Sequence, residues 1–216
     1  MDYAEARFNM IENQVRTNRV TDPVVIETMG RLPREAFVPE SLKGIAYIDE
    51  DIEIAPGRHL MEPMVLARLL QAAEVKGTDV ALVIGCGMGY AAAVLASLVN
   101  TVVALESDPG LAAKASETLS GLGIDTVAIV ESGLQEGYAK QAPYDVIFFG
   151  GAVSEVPKSI SGQLAEGGRL VAVVKKNGVG RAVLITNHRG VLSTRELFDA
   201  GTPFLPGFEP APAFVF

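Results

Sequence analysis

The residues whose spacing bears on chemistry begin at Gly85-Cys86-Gly87-Met88-Gly89-Tyr90, directly after the apolar run Val80–Ile84. Glycines placed after a strand let the backbone approach a ligand closely and leave N–H groups at the start of the following helix. The spacing is G-x-G-x-G. A dinucleotide fingerprint, G-x-G-x-x-G, needs glycine at position 90, where Tyr90 stands, so a nicotinamide cofactor is disfavoured. The next apolar run ends at Glu106, 17 positions beyond Gly89. A carboxylate there is placed to accept both hydrogen bonds of a ribose diol. Loop and carboxylate together point to an adenosine-containing ligand. The plainer alternative is a glycine turn serving only strand–helix packing, with Glu106 as a solvated helix-cap carboxylate.

Other chemistries are limited by what the chain lacks. Two histidines, His59 and His188, and one cysteine, Cys86, leave no set for a structural zinc and no internal disulfide. Cys86 reads as a small buried side chain in the turn rather than a nucleophile. The single cysteine fits a reducing compartment. Net charge is −8 and the pI is near 4.8, so no broad footprint for nucleic acid exists. The first twenty residues carry charges throughout, and the longest apolar runs, such as Val80–Ile84 and Val146–Phe149, are of strand length. The expectation is a cytoplasmic protein with neither a membrane nor a nucleic-acid partner.

The elements that must position these residues fall into two zones. Up to about Val75 the pattern reads as helices and loops: a helix over Asp2–Arg19, a start at Thr21-Asp22-Pro23, and another at Glu62-Pro63. From Asp79 short apolar strands alternate with helices. Strands are expected at Val80–Ile84, Thr101–Leu105, Thr126–Val130, Asp145–Phe149 and Arg169–Val174. Helices are expected at Tyr90–Leu98, Pro109–Leu119 and Val156–Leu164. Continuous apolar strands alternating with helices imply a parallel sheet covered on both faces, an α/β doubly wound fold. Ala182–Thr186 and Ser193–Phe198 read as a terminal antiparallel hairpin, which brings the sheet to seven strands. Gly201–Phe216 reads as an extended tail over the body, with Phe214, Val215 and Phe216 exposed unless they dock. The expected division is an N-terminal helical extension over 1–77 and an α/β core with hairpin and tail over 78–216, forming one compact unit.

Three blocks resemble the protein-L-isoaspartate O-methyltransferases. They are Leu32-Pro33-Arg34-Glu35-Ala36-Phe37-Val38-Pro39, then Ala46-Tyr47-Ile48-Asp49, and the glycine block through Ala96. Ala142-Pro143-Tyr144-Asp145 and Gln163–Val171 extend the likeness along nearly the whole chain. The resemblance implies a Rossmann-like methyltransferase fold and S-adenosyl-L-methionine as methyl donor, with S-adenosyl-L-homocysteine as product and no metal. It further implies a carboxylate acceptor, either an isoaspartyl residue of a damaged protein or another carboxylate, and a monomer or homodimer. The expected cofactor-binding set is Gly85, Cys86, Gly87, Gly89, Tyr90, Glu106, Ser107, Ser132, Gly133 and Leu134. Tyr47 and Asp49 border the substrate groove by the same resemblance, although Asp49-Glu50-Asp51 reads equally as a solvated acidic turn.

The chain also departs from that family. Where the family usually has Gly-Gln-Thr-Ile-Ser-Gln-Pro, with its serine at the reacting carboxyl, this sequence reads Gly57-Arg58-His59-Leu60-Met61-Glu62-Pro63. Met61 has no comparable donor, so Arg58 and His59 become the candidates to meet a carboxylate. The family's acidic residue before the loop is Val83, and its Gly-Asp-Gly after the third core strand is Glu131-Ser132-Gly133. These changes support a second expectation, a catalytically degenerate binding or regulatory protein.

Overall fold

A computed structural model describes residues 1–210. The N-terminal region holds α1 (Tyr3–Met10), α2 (Pro23–Arg31), the strand pair β1 (Ile52–Ala55) and β2 (Arg58–Leu60), and α3 (Pro63–Ala73). Asp2 accepts from the Ala4 and Glu5 N–H groups, and Asp22 accepts from those of Val24 and Val25, so each carboxylate satisfies two orphan donors of its helix. The helix expected over Asp2–Arg19 changes pitch. After α1 it widens to a π turn at Ile11–Val15 and tightens to a 3₁₀ turn at Arg16–Asn18, ending at left-handed Arg19.

The core follows as β3 (Val80–Ile84), α4 (Tyr90–Ala96), β4 (Thr101–Glu106), α5 (Pro109–Gly121), β5 (Val127–Glu131), β6 (Tyr144–Val153), α6 (Lys158–Ser161), β7 (Leu164–Lys176), β8 (Val179–His188) and β9 (Val191–Asp199). The sheet is seven-stranded in the order β5-β4-β3-β6-β7-β8-β9. Neighbours from β5 to β7 are parallel, and β8 and β9 are antiparallel. Apolar side chains alternate between two cores. Ala81, Val83, Val102 and Ala104 face one side, while Leu82, Ile84, Val103 and Leu105 face the other. The central strands are therefore apolar without interruption.

The expected α/β doubly wound sheet with its terminal hairpin is present. Two local readings need correction. The stretch before Val75 contains the β1–β2 hairpin, and the helix expected over Val156–Leu164 shrinks to α6 because β7 already begins at Leu164. The tail as far as Phe208 lies on the body, with Leu205 and Phe208 buried, whereas Phe214, Val215 and Phe216 lie outside the described residues.

Two arginines fasten the N-terminal region to the core. Arg34, fully buried, donates from Nε to the Ala46 carbonyl and from Nη2 to that of Met61, each at 2.7 Å, and its guanidinium lies 4.9 Å from the Tyr90 ring centroid. Arg169 on β7 donates to the Ala73 carbonyl at 2.8 Å and the Glu74 carbonyl at 2.9 Å, the end of α3, and pairs with Asp79 before β3. Removing one partner of a mostly buried pair leaves the other charge uncompensated. Arg169→Met is therefore expected to cost about 3 kcal/mol of stability. Urea unfolding checks this, and an unchanged midpoint would refute it.

Candidate functional site

In an open α/β sheet the ligand crevice lies outside the carboxyl ends of the strands, where the strand order reverses. Here that place lies beyond β3, β4 and β6. The chain leaves β3 through Gly85, Gly87 and Gly89, all at positive φ (76°, 57° and 99°), a turn that side chains with a Cβ rarely adopt. The Gly85 and Cys86 N–H groups donate to the Leu105 carbonyl at 3.0 and 2.9 Å, fastening the loop to the end of β4. Gly89 caps α4, and Tyr90 turns inward with its ring edge-on to Phe37 at 5.4 Å.

Glu106, the last residue of β4, has no exposed side-chain surface, so the solvated-cap alternative does not describe it. Its Oε1 accepts from the N–H groups of Ser107 (2.8 Å) and Asp108 (3.1 Å). Its Oε2 accepts from the Gly87 N–H at 2.7 Å and from Arg58 Nη2. Arg58 is 5% exposed, and its Nε and Nη1 have no partner among the described residues. Arg58 thus points inward to Glu106 rather than outward. Asp108 caps α5 through the Leu111 N–H, 3.0 Å away.

His59, Met61, Gly85, Cys86 and Tyr90 meet around one small cavity of about 20 Å³, room for a single water. His59 stands opposite Glu53 in the β1–β2 pair, and the buried Met61 offers its carbonyl to Arg34. Burial, and next the negative charge of Glu106, pushes the Cys86 thiol up to about 12, so it is not a nucleophile at neutral pH. Ser132 follows β5, with its N–H donating to the Glu106 carbonyl at 3.0 Å; Gly133 is exposed and Leu134 buried beside it. Ser107 is exposed at the same rim. Val83 is buried within β3 and offers no polar contact. Tyr47 lies away from the cavity in a network with Arg7 and Glu35, and burial with the Glu35 hydrogen bond pushes its hydroxyl up to about 12.

Sequence reasoning missed Ile54 and Leu205, which press on the glycine loop from β1 and from the tail. Ile52-Glu53-Ile54-Ala55 followed by Pro56-Gly57 is an alternating strand with a turn signal, so the hairpin was discoverable. Leu205, set between Pro203 and Pro206, carries no such signal. The groups at the strand ends are of the kinds an adenosine-bearing ligand needs, three glycines in conformations suited to close backbone approach, one carboxylate at the end of β4, and Ser132-Gly133 after β5, although that carboxylate is here bonded to Arg58.

Comparison with known proteins gives a consistent result. The sequence model of the protein-L-isoaspartate(D-aspartate) O-methyltransferase (PCMT) family matches residues 5–200. The chain is similar to the protein-L-isoaspartate O-methyltransferase of Koribacter versatilis, 35% identical over 97% of this chain and 96% of the relative. It is likewise similar to that of Methanoculleus marisnigri, 35% identical over 93% of this chain and 90% of the relative. Among solved structures, a protein-L-isoaspartate O-methyltransferase superposes with a TM-score of 0.82 at 25% identity, covering 93% of this chain and 66% of that one. A Plasmodium falciparum member solved with S-adenosyl-L-homocysteine superposes at 0.79 and 24% identity, over 91% and 96% of the two chains, a likeness of fold.

One group near the cavity gives a pH signature. Burial first, then Asp49 and Asp51, pushes the Glu62 carboxyl up from 4.5 to about 7, with Arg34 opposing. The folded state therefore holds a proton that the unfolded chain releases, and stability is lost as pH rises from about 4.5 through 7. Glu62→Gln removes that loss. Allowing for solvent screening at a half-buried site, it should stabilise the protein by on the order of 1 kcal/mol at pH 8 and hardly at all at pH 4. Thermal melts across that range check it, and parallel curves for the two proteins would refute it.

Proposed function

The chain belongs to the protein-L-isoaspartate(D-aspartate) O-methyltransferase family, and we propose that it transfers a methyl group from S-adenosyl-L-methionine to the carboxylate of an isoaspartyl residue in a damaged protein. The observation that carries this reading is the Gly85–Gly89 turn beside the buried Glu106 carboxylate, in a chain matched to the family over residues 5–200. The comparisons lend nothing to the second expectation, a degenerate binding or regulatory protein.

S-adenosyl-L-methionine, when bound, supplies a methyl group already activated on a sulfonium. A carboxylate acceptor is already ionised at neutral pH, so the protein needs no general base. What remains for the chain is to bind, align and exclude water. Gly85, Cys86, Gly87, Gly89 and Tyr90 form the backbone cradle, and Glu106 with Ser107 is the ribose acceptor region. Ser132, Gly133 and Leu134 border the base. His59 and Met61 line the cavity on the acceptor side of the site, and Arg58, expected beside them, stands behind it on Glu106. Where the family has a serine hydroxyl, Met61 offers an apolar wall that excludes water and donates no hydrogen bond. We place the protein in the cytoplasm, as a monomer or homodimer, and no helix among the described residues is long and apolar enough to cross a membrane.

The test is methyl transfer to an L-isoaspartyl peptide against its ordinary aspartyl counterpart. Base-labile methyl ester should form on the isoaspartyl peptide alone. Met61→Ser should raise turnover about tenfold, the effect of one added hydrogen bond of roughly 1.4 kcal/mol in the transition state. Ester on neither peptide, from either protein, would refute the function; equal rates for the two proteins would remove position 61 from the acceptor site.

A further inference from the structure

The Glu106 carboxylate has no acceptor capacity to spare. Two oxygens offer about four lone-pair sites, and Arg58, Gly87, Ser107 and Asp108 supply four donors. Three of those donors are backbone N–H groups fixed by the two loops. Only the Arg58 side chain can withdraw without unfolding a turn.

The space opened by the glycines is also filled. A Cβ built at Gly85 would come within 2.6 Å of Leu205 Cδ2 and 3.2 Å of Arg58 Nη2. One built at Gly151 would meet Leu205 Cγ at 2.9 Å, and one at Gly87 would meet Ile54 Cδ1 at the same distance. Leu205 is 3% exposed and lies over the ends of β3 and β6. The remaining cavity of about 20 Å³ is far below the roughly 300 Å³ at which ligand pockets begin.

The side chains that fill the site come from two segments that touch. Arg58 and Ile54 belong to the β1–β2 hairpin, and Leu205 to the stretch 202–208. Thr202 Oγ1 donates to Asp51 Oδ1 at 3.0 Å, and the Pro206 ring lies 3.7 Å from where a Cβ at Gly57 would be. The second segment is held to the sheet chiefly by backbone bonds of 2.8 Å: Ala152 N–H to the Pro203 carbonyl, Leu205 N–H to that of Ala152, and Ser154 N–H to that of Phe208. The closed arrangement carries a cost as well. Arg58 Nε and Nη1 are buried donors without acceptors among the described residues, and each such group loses its hydration without replacement.

We propose that the β1–β2 hairpin and residues 202–208 form a two-piece latch over the cofactor site: Arg58 stands on Glu106 where a ribose diol would bind, and Leu205 fills the glycine cradle, so the methyl donor enters only as both withdraw. The proposal rests on the methyltransferase reading above. It makes the affinity for the donor the product of an intrinsic affinity and the fraction of molecules open. Arg58 and Leu205 then set how tightly the donor is held.

Cys86, the chain's only cysteine, lies beneath the latch and reports opening without any cofactor. The experiment measures its labelling by dithiodipyridine in the intact protein, in Leu205→Ala and in Arg58→Gln, with urea dependence to separate local opening from unfolding, and calorimetric titration with S-adenosyl-L-homocysteine alongside. The expected result is at least tenfold faster labelling in both variants with little urea dependence. S-adenosyl-L-homocysteine should bind them at least tenfold more tightly than the parent and slow their labelling. Labelling at the parent's rate, labelling only through global unfolding, or affinity no tighter than the parent's would overturn the latch while leaving the methyltransferase reading intact. If S-adenosyl-L-homocysteine neither binds nor protects Cys86 in any of the three proteins, the methyltransferase reading falls and the latch falls with it.

Discussion

At the end of β4 one buried carboxylate ties three parts of the molecule to a single point. Through Gly87 the Glu106 side chain fixes the loop leaving β3; through Ser107 and Asp108 it fixes the loop leaving its own strand; through Arg58 it pins the β1–β2 hairpin. An ionised group with no exposed surface is tolerable only if its oxygens are satisfied. The constraint therefore works in both directions. The loops must curl so that their N–H groups converge, and the glycines supply the positive φ values that let the first loop do so.

Arg34 plays the matching part for the N-terminal region. Its hydrogen bonds to the Ala46 and Met61 carbonyls bring together the chain before β1 and the chain after β2, and its guanidinium rests on the ring of Tyr90, the first residue of α4. Position 61 thus reaches the cavity because its backbone is held from behind by a buried cation. The anchoring contact uses the main chain, so it does not depend on which side chain stands at position 61. A side-chain exchange there changes what faces the cavity and leaves the placement of the segment alone.

Much of this was legible in the residues. The alternation of apolar runs with helical segments after Asp79 gives the doubly wound core, because strands buried on both faces must be apolar along their length, as β3 and the Val102–Leu105 stretch of β4 are. The helix starts were legible for an equally local reason: Asp22-Pro23 and Asp108-Pro109 each pair a capping carboxylate with a proline that tolerates the first turn. Glu106 was legible as a candidate by its position after the glycines. What the sequence could not show is a partner distant along the chain. Arg58 lies 48 positions from Glu106, and no periodicity links them. Leu205 reaches Gly85 only because the sheet brings the tail back across its own edge. Local rules fix elements and turns; they do not say which loop a given side chain crosses.

The overall charge of −8 raises the question of how an anionic acceptor approaches this protein at all. Surface carboxylates act through solvent, and at physiological ionic strength their influence fades over about 8 Å. The charges that matter at the cavity are nearer and less screened. Arg34 and Arg58 are both buried, and Arg34 forms hydrogen bonds to main-chain carbonyls with no carboxylate on it among the described residues. A buried cation acts through a lower effective dielectric than water, so at a few ångströms it outweighs several screened charges at the surface. While Arg58 is paired with Glu106 the two charges largely cancel and Arg34 remains. The net charge of the exterior therefore does not by itself set the potential inside, because the surface carboxylates face water and Arg34 is held out of it.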